Sequence, residues 1–405
     1  MAISGQGCLR ASRLGIVAMI CGIVPPVLAQ EERSLDVQLS GTATYDSNAA
    51  RSGKAQAAAR GLVQEEGEFR PSVSAALVLP FDQHGFFLDA QAGYEFHTRN
   101  KRLESERIAV AGGVRLHMAG CTIDPGVSYR RRLSDVEDDF SNTVGNVEEV
   151  TGASGTLRCK RAIGFSPVAS ASWTRSRNRL AVRRRSDLNS FTVSAGMAYA
   201  QPSIGRLSLF ASLTDSRYPN RQFDTGARLV TDGIRNIAAT VQLERRIGTK
   251  LQGSISAGYV IVDPDLASVR SFKGASYGAD IRFMPGGRAS FTLAAARTVE
   301  ASNRLDVSYY RQDEVKLGMH YVVSPLIGAD LRASWRSRHF AATPAITGLT
   351  PPQTDRNYAA GGGFSYAMNR RINVRLDADY QRRNAAIDLF DYDGLRVGLS
   401  VNYGM

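Results

Sequence analysis

The last stretch of the chain alternates strictly between two kinds of side chain, and this alternation constrains the fold more than any other feature. Between 395 and 403, polar residues and glycine separate the apolar residues Leu395, Val397, Leu399, Val401 and Tyr403. Because successive side chains of a β-strand point to opposite faces, this stretch has one apolar wall and one polar wall. The pattern returns about every 20 residues from Leu35 onward. A chain built only of such strands predicts one large sheet closed on itself.

The alternation predicts eighteen strands, with sixteen as the alternative count, and no second domain. The predicted strands are 33–46, 66–79, 85–98, 105–117, 122–133, 147–159, 164–177, 188–200, 206–217, 231–246, 251–262, 272–284, 288–300, 313–323, 328–340, 357–368, 372–383 and 392–403. Charged residues spaced by two in these strands are costly unless their face is wet. The pattern therefore predicts an apolar outside and a hydrated inside.

The connections between predicted strands alternate in length. Tight turns such as 80–85 and 369–371 follow the even-numbered strands, whereas longer loops such as 47–65 and 178–187 follow the odd-numbered ones. Short periplasmic turns and long outer loops are typical of outer-membrane barrels, whose strand number is even. The fold class predicted is an all-β, antiparallel, up-and-down transmembrane β-barrel of the bacterial outer membrane, with both termini in the periplasm.

The N-terminus reads as an export signal. Arg10 and Arg13 precede a short apolar run, and small residues follow near Ala29. A basic region, an apolar stretch too short for a membrane span and a small-residue cleavage site describe a secretory signal peptide. We expect residues 1–29 to be this peptide and residues 30–405 to be the barrel.

Two cysteines remain after the expected signal peptide, Cys121 and Cys159. Both fall at the periplasmic ends of neighbouring predicted strands, and an oxidising periplasm permits a disulfide. We predict a Cys121–Cys159 bridge, the alternative being two unpaired thiols.

The chain is basic, with a formal charge of +12, and only six of its 50 basic residues are lysine. Arginine presents a planar donor fork that matches carboxylate and phosphate. Export argues against nucleic acid, so outer-membrane lipid and lipopolysaccharide are the expected anionic partners. An outer basic rim is predicted from Arg175, Arg177, Arg179, Arg183, Arg184 and Arg185.

A barrel of sixteen to eighteen strands encloses an aqueous channel unless loops plug it. Loop 47–65 could fold inward as a constriction or lie on the surface. The alternation places ten arginines on the wet face: Arg107, Arg115, Arg130, Arg132, Arg282, Arg332, Arg336, Arg338, Arg375 and Arg396. Such a lining would favour anions. Alternatively, these arginines pair with Asp124, Asp330 or Asp377 and brace the wall.

The C-terminal strand also fits an assembly signal. Its polar-x-Gly-x-x-hydrophobic-x-aromatic pattern consists of Arg396, Gly398, Val401 and Tyr403. A terminal strand of this kind can be recognised by edge pairing, which predicts the barrel-assembly machinery as a partner. The alternative is an ordinary closing strand.

Signals for enzymatic chemistry are weak. None of the five histidines has the spacing of a metal pair, and no nucleophile elbow or phosphate loop is found. The acidic residues Asp135, Glu137, Asp138 and Asp139 lack the ligand spacing of a calcium loop. We therefore expect no enzyme, no metal and no cofactor. An outer-membrane hydrolase using His97 or His339 is the least favoured hypothesis.

The end of the first predicted strand carries Tyr45, Asp46, Ser47 and Asn48. This signature resembles the opening of a family of outer-membrane β-barrel porins that are encoded with exopolysaccharide and capsule machinery. The resemblance implies an exit conduit for a secreted polysaccharide, which would work with a periplasmic export protein and an inner-membrane co-polymerase.

The main functional hypothesis from the sequence is therefore polysaccharide export. The alternative is a general or solute-specific diffusion porin with anion preference, because it would share the same architecture.

Overall fold

The computed structural model describes residues 33–118, 120–134, 144–159, 161–224, 226, 228–302, 304–343, 353–387 and 390–405. The expected signal peptide and the acidic residues at 135–139 lie outside these ranges. Among the described residues, no helix is both long enough and apolar enough to span a bilayer.

The described chain forms a single antiparallel sheet of eighteen strands, which confirms the predicted fold class and the larger strand count. The strands are β1 (Ser34–Asp46), β2 (Glu66–Phe81), β3 (His84–His97), β4 (Ser105–Met118), β5 (Cys121–Leu133), β6 (Val147–Cys159), β7 (Gly164–Asn178), β8 (Leu188–Gln201), β9 (Gly205–Asp224), β10 (Leu229–Ile247), β11 (Leu251–Pro264), β12 (Phe272–Phe283), β13 (Ala289–Ala301), β14 (Val307–Ser324), β15 (Ile327–Ala342), β16 (Thr354–Ala367), β17 (Ile372–Ala385) and β18 (Tyr392–Gly404).

The sheet closes because β1 pairs with β18 as well as with β2. In this seam Leu39 lies opposite Tyr403 and Thr42 opposite Ser400. Each strand pairs antiparallel with its sequence neighbours, so the backbone N–H and C=O groups of the wall find partners within the protein. Closure of this kind is the condition for a β-structure to cross lipid, where water cannot satisfy an open edge.

The two faces of the wall differ as the alternation predicts. Large apolar side chains stand exposed on the outside, for example Phe364 at 62%, Leu376 at 49% and Leu399 at 48%. These three lie in one register row across β16, β17 and β18. Residues one position away along each strand face the lumen and are mostly polar. The outer surface is therefore matched to hydrocarbon and the inner one to water.

Loop 47–65 packs against its neighbours at the outer end. It contains a short helix, α1 (Lys54–Ala59), and its Ala57 and Leu62 are buried with Leu103 and Val144 of two other loops. Arg51 reaches back to the lumen-facing Asp46, with 2.6 Å between Nη2 and Oδ2. The loop thus covers part of the barrel mouth.

At the periplasmic end, Cys121 and Cys159 lie directly opposite each other in β5 and β6. The structure joins them in a disulfide that spans 38 residues of sequence.

Candidate functional site

The ten arginines selected from the alternation all lie on the lumen face, and most of them have an acidic partner. The ion pairs are Arg107 with Glu95, Arg115 with Asp124, Arg132 with Glu148, Arg332 with Asp377 and Asp379, Arg338 with Asp355, Arg375 with Asp330 and Asp377, and Arg396 with Glu68. Arg336 is buried and also has a partner, whereas Arg130 and Arg282 form no ion pair within 4 Å in the described chain. Both predicted arrangements are therefore present in the lumen wall: most of the arginines are paired with carboxylates, and a few are not.

The most regular of these contacts form a chain that we call the ion-pair ladder. It consists of Asp330, Arg375, Asp377, Arg332 and Asp379. Its Arg375 Nη1–Asp330 Oδ2, Arg375 Nε–Asp377 Oδ2 and Arg332 Nη1–Asp377 Oδ1 distances are 2.9, 2.7 and 3.0 Å. Because the central carboxylate, Asp377, is shared between Arg375 and Arg332, the charges are held in fixed positions along the wall.

The ladder joins β15 to β17 across the intervening β16. Gly361 and Gly363 of β16 face the lumen at this point, and a Cβ on either would collide with a carboxylate oxygen of Asp379 or Asp377. Glycine is needed because the ladder side chains occupy the space that a β16 side chain would fill. The run Gly361-Gly362-Gly363 was the available sequence signal for this gap.

A second charged region, the arginine cluster, lies on the lumen face of β2 to β6. It consists of Arg70, Arg107, Arg130, Arg132, Glu95 and Glu148. Arg107 Nη1 lies 3.2 Å from Glu95 Oε2, and Arg132 Nη2 lies 3.2 Å from Glu148 Oε2. Four guanidiniums against two carboxylates leave two positive charges. The sequence analysis missed Arg70, although its place two residues from Glu68 put it on the wet face.

The lumen face of β7 and β8 carries no charged residue, in contrast to both regions above. We call this surface, together with the adjoining lumen face of β9 from Ser208 to Ser216, the hydroxyl arc. Cross-strand hydroxyl contacts run through it, namely Ser170 with Ser194 at 2.7 Å, Ser190 with Ser216 at 2.9 Å and Thr192 with Thr214 at 3.0 Å. This part of the wall offers neutral hydrogen-bonding groups to water or solute.

At the outer end, β9 and β10 lean across the lumen to β14, in a contact that we call the mouth bridge. The Tyr218 hydroxyl donates to Ser308 O at 2.9 Å, and Arg221 Nη1 donates to Val307 O at 3.0 Å. Asp232 accepts from Arg221 Nη1 at 3.1 Å and from Ser308 Oγ at 2.7 Å. These groups are almost wholly buried. The sequence analysis missed the bridge because it treated 218–230 as a loop.

Three of the four signature residues, Asp46, Ser47 and Asn48, anchor the first loop to the closing seam. Asn48 N donates to Asp46 Oδ1 at 2.9 Å, and Asn48 Nδ2 donates to Asp393 O at 3.0 Å. Ser47 Oγ accepts from Leu395 N at 2.8 Å, while Tyr45 faces outward. The motif therefore fixes the base of loop 47–65 against β18. This structural role accounts for the presence of these residues without any role in transport.

The candidate assembly residues lie in β18 on both faces of the wall. Arg396 and Gly398 face the lumen, where Arg396 pairs with Glu68, and Val401 and Tyr403 face outward. Their recognition during assembly remains a prediction.

In the part of the chain that the structure describes, one group of residues has the geometry to hold a metal ion. Ligand atoms of Glu68, Glu95 and His97 lie within 4.8 Å of one another. Both carboxylates are already paired, however, Glu68 with Arg396 and Glu95 with Arg70 and Arg107. The arginines satisfy these carboxylates without a metal.

The two histidines of the hydrolase hypothesis lie on opposite faces of the wall. His97 is buried on the lumen side, whereas His339 is exposed on the outside. The hypothesis needs one of them with a Ser or acidic partner. His97 Nδ1 lies 3.9 Å from Glu66 Oε2, but that carboxylate already accepts hydrogen bonds from Thr98 Oγ1 and from the backbone N–H groups of Arg99 and Asn100.

A closed barrel of eighteen strands with an apolar outside and a charged, hydroxyl-lined lumen defines the class of outer-membrane channel proteins. Residues 35–404 match the sequence profile of the family described as "Putative beta-barrel porin 2". The chain belongs to this porin family and is a protein of the bacterial outer membrane. No curated protein matches the sequence significantly.

Solved structures resemble the chain at low identity. OccK2 (OpdF) of Pseudomonas aeruginosa, in complex with glucuronate, is 13% identical with a TM-score of 0.49, covering 93% of this chain and 99% of that one. A BenF-like porin of Pseudomonas fluorescens Pf-5 is 11% identical with a TM-score of 0.49 and the same coverage. OpdL of P. aeruginosa is 12% identical with a TM-score of 0.48, covering 92% and 99%.

Proposed function

We propose that the protein is a passive diffusion channel for small hydrophilic solutes, with a preference for anions. The observation that carries this proposal is the mouth bridge. Buried contacts of Tyr218 and Asp232 with Ser308, and of Arg221 with Val307 O, hold β9 and β10 against β14 across the lumen. A mouth narrowed in this way admits small molecules more readily than a polymer. Below it the wall is mostly polar, which suits the passage of hydrated solutes.

Anion preference follows from the arginine cluster. Its four guanidiniums and two carboxylates leave a net positive charge beside the path. A low-dielectric wall focuses that field into the lumen and raises the local concentration of anions. The ion-pair ladder and the hydroxyl arc add many weak contacts, which permit passage where tight binding would arrest it.

The other two hypotheses receive less support. The family is described as a porin family without reference to polysaccharide, and the mouth bridge stands in the path that an exported polymer would take. A hydrolase would need a histidine with an available Ser or acidic partner, and the Glu66 carboxylate beside His97 is already held by hydrogen bonds from Thr98 and two backbone N–H groups. We therefore favour a channel over an export conduit and over an enzyme.

The test is conductance and solute uptake by the purified barrel. In planar bilayers we expect stable single-channel steps, and in liposomes we expect swelling with small sugars that fades as solute size grows. Tyr218→Phe removes one bond of the mouth bridge and should raise both the conductance and the size limit. Ser194→Ala in the hydroxyl arc is the matched control and should change neither.

Two outcomes would count against this function. A folded wild-type barrel that neither conducts nor admits small sugars is not a diffusion channel. Loss of surface polysaccharide on deletion of the gene, with polymer retained inside the cell, would instead favour export.

A further inference from the structure

The outer face of the barrel carries a compact group of charged residues where hydrocarbon-facing side chains end. Arg297 of β13 lies directly opposite Asp313 of β14, and Ser337 of β15 continues this register row to Arg356 of β16. One step further outward, Arg311 lies opposite His339. These side chains share the face of the exposed apolar Leu317. They therefore point away from the lumen.

A single carboxylate organises part of this group. Asp313 Oδ1 lies 2.6 Å from Arg297 Nε and accepts a hydrogen bond from the Tyr277 hydroxyl at 3.0 Å. Its other oxygen lies 3.8 Å from Arg311 Nε. The Asp313 side chain is only 8% exposed, whereas Arg297 and Arg311 remain partly open. The carboxylate thus holds two guanidiniums side by side, and within the described chain neither has a second acidic partner.

The third arginine is uncompensated. Within the described chain, Arg356 has no acidic partner, and it is exposed. Three guanidiniums against one carboxylate leave two positive charges on the outer face. A phosphate monoester carries a charge of about −1.5 to −2 at neutral pH, so its charge matches the excess. Arginine is also the residue whose donor geometry fits phosphate oxygens best.

The height of the group on the barrel points to a lipid. The register row just below it contains Trp335 of β15 and Tyr358 of β16, which lie opposite each other. Trp and Tyr mark the level of the membrane interface in such barrels. Arg297 and Arg356 lie two residues, or about 7 Å, beyond that row toward the outside, and Arg311 lies four residues beyond it. This is the level at which lipid headgroups meet the protein.

We propose that Arg297, Arg311 and Arg356 form a binding site for a phosphate group of a phosphorylated glycolipid in the outer leaflet. The lipid phosphate would accept hydrogen bonds from the three guanidiniums, while its acyl chains lie along the apolar face beneath Trp335 and Tyr358. This site is independent of transport through the lumen.

The basic rim expected from the sequence is a different place. Arg179 there is paired with Glu149, with 3.1 Å between Nε and Oε1, and Arg183 is buried. Two of its six arginines are thus committed within the protein. The β13–β16 group, by contrast, keeps Arg356 uncompensated beside two arginines that share one carboxylate.

The experiment is native mass spectrometry of the folded full-length barrel titrated with lipid A. We expect the double variant Arg311→Gln/Arg356→Gln to bind bisphosphorylated lipid A about tenfold more weakly than wild type, since charge-assisted contacts to phosphate are lost. Dephosphorylated lipid A should bind both proteins equally weakly. Arg356→Gln alone removes no internal ion pair, so it should weaken binding without affecting folding.

The matched control is Arg245→Gln/Arg371→Gln, which removes two exposed arginines at the periplasmic end. It should bind lipid A as wild type does. Equal binding by wild type and the β13–β16 variants, or equal loss in the control, would overturn the site. Inorganic phosphate that displaces lipid A at micromolar concentration would show that the free ion, and not the lipid, is the preferred ligand, and would overturn the lipid assignment.

Discussion

The ion-pair ladder and the hydroxyl arc are two parts of the same lumen wall, built in different ways. In the ladder, Arg332 reaches across β16 to Asp377 and Asp379, and Arg375 reaches across it to Asp330. In the hydroxyl arc, Ser170 and Ser194 contact only the strand next to them. Both satisfy the requirement that the inner face be polar. The ladder does so with ion pairs that span three strands. The arc does so with hydrogen bonds between uncharged side chains on neighbouring strands.

The difference teaches that alternation selects the face of a residue and not its partner. A polar position in a strand is accommodated equally by a hydroxyl or by a guanidinium. What separates the two regions is the space beside them, because Gly361 and Gly363 open room for long side chains. The asymmetry also has a functional meaning. A solute in the lumen experiences strong fields on one side and neutral hydrogen-bonding groups on the other.

Filling the gap in β16 should break the ladder and give the largest effect. In Gly361→Val the new side chain would collide with Asp379 and with the Ala378 backbone. We expect the free energy of unfolding to fall by about 2 kcal/mol, from overpacking and from the loss of partly exposed ion pairs. Denaturant titration of the barrel in lipid vesicles measures it. Gly155→Val, where a Cβ meets no atom within 4 Å, is the control and should unfold as wild type.

Neutralising the arginine cluster should come second and should change selectivity. Arg107→Gln/Arg132→Gln removes the two excess positive charges of the cluster. We expect the anion-to-cation permeability ratio to fall by roughly threefold at low salt, because the cluster no longer carries the net positive charge that attracts anions. The reversal potential across a KCl gradient measures this ratio. An unchanged reversal potential would show that the cluster only braces the wall.

The sequence predicts which residues face the lumen, but it does not predict which of them contact each other, and the reason is physical. The period of two in β15 and β17 places Arg332 and Arg375 in the lumen without further information. The contact between Arg332 and Asp379 could not be anticipated, because it depends on the register of three strands at once. Ser194 raises the same difficulty, since its partner Ser170 lies on another strand.

The outer end of the barrel was less predictable than the wall. Residues 218–230 contain Tyr218, Pro219 and Asn220, which favour a loop by local propensity. In the structure β9 continues to Asp224 because Tyr218 and Arg221 find partners on β14. Such long-range contacts override local preference and leave no periodic signal in the sequence.

Adding a charge to the hydroxyl arc should reduce the contrast between the two regions. Ser194→Lys places a cation opposite the charged wall, and we expect the anion-to-cation ratio to rise by about twofold at low salt. In 1 M salt the effect should nearly vanish, because the Debye length falls to about 3 Å. A ratio that is independent of salt would argue that the lysine changes the pore diameter rather than its field.

Removing a hydroxyl from the arc should have the smallest effect. Ser194→Ala deletes one partner of the 2.7 Å contact with Ser170, whose hydroxyl then turns to lumen water. We expect the free energy of unfolding to change by less than about 1 kcal/mol, since a net hydrogen bond contributes little where water replaces the partner. Ion selectivity should not change, because no charge is altered. Denaturant titration and the reversal potential check both points. A loss as large as that of Gly361→Val would mean that the arc and the ladder hold the wall with similar strength, and the contrast between them would fail.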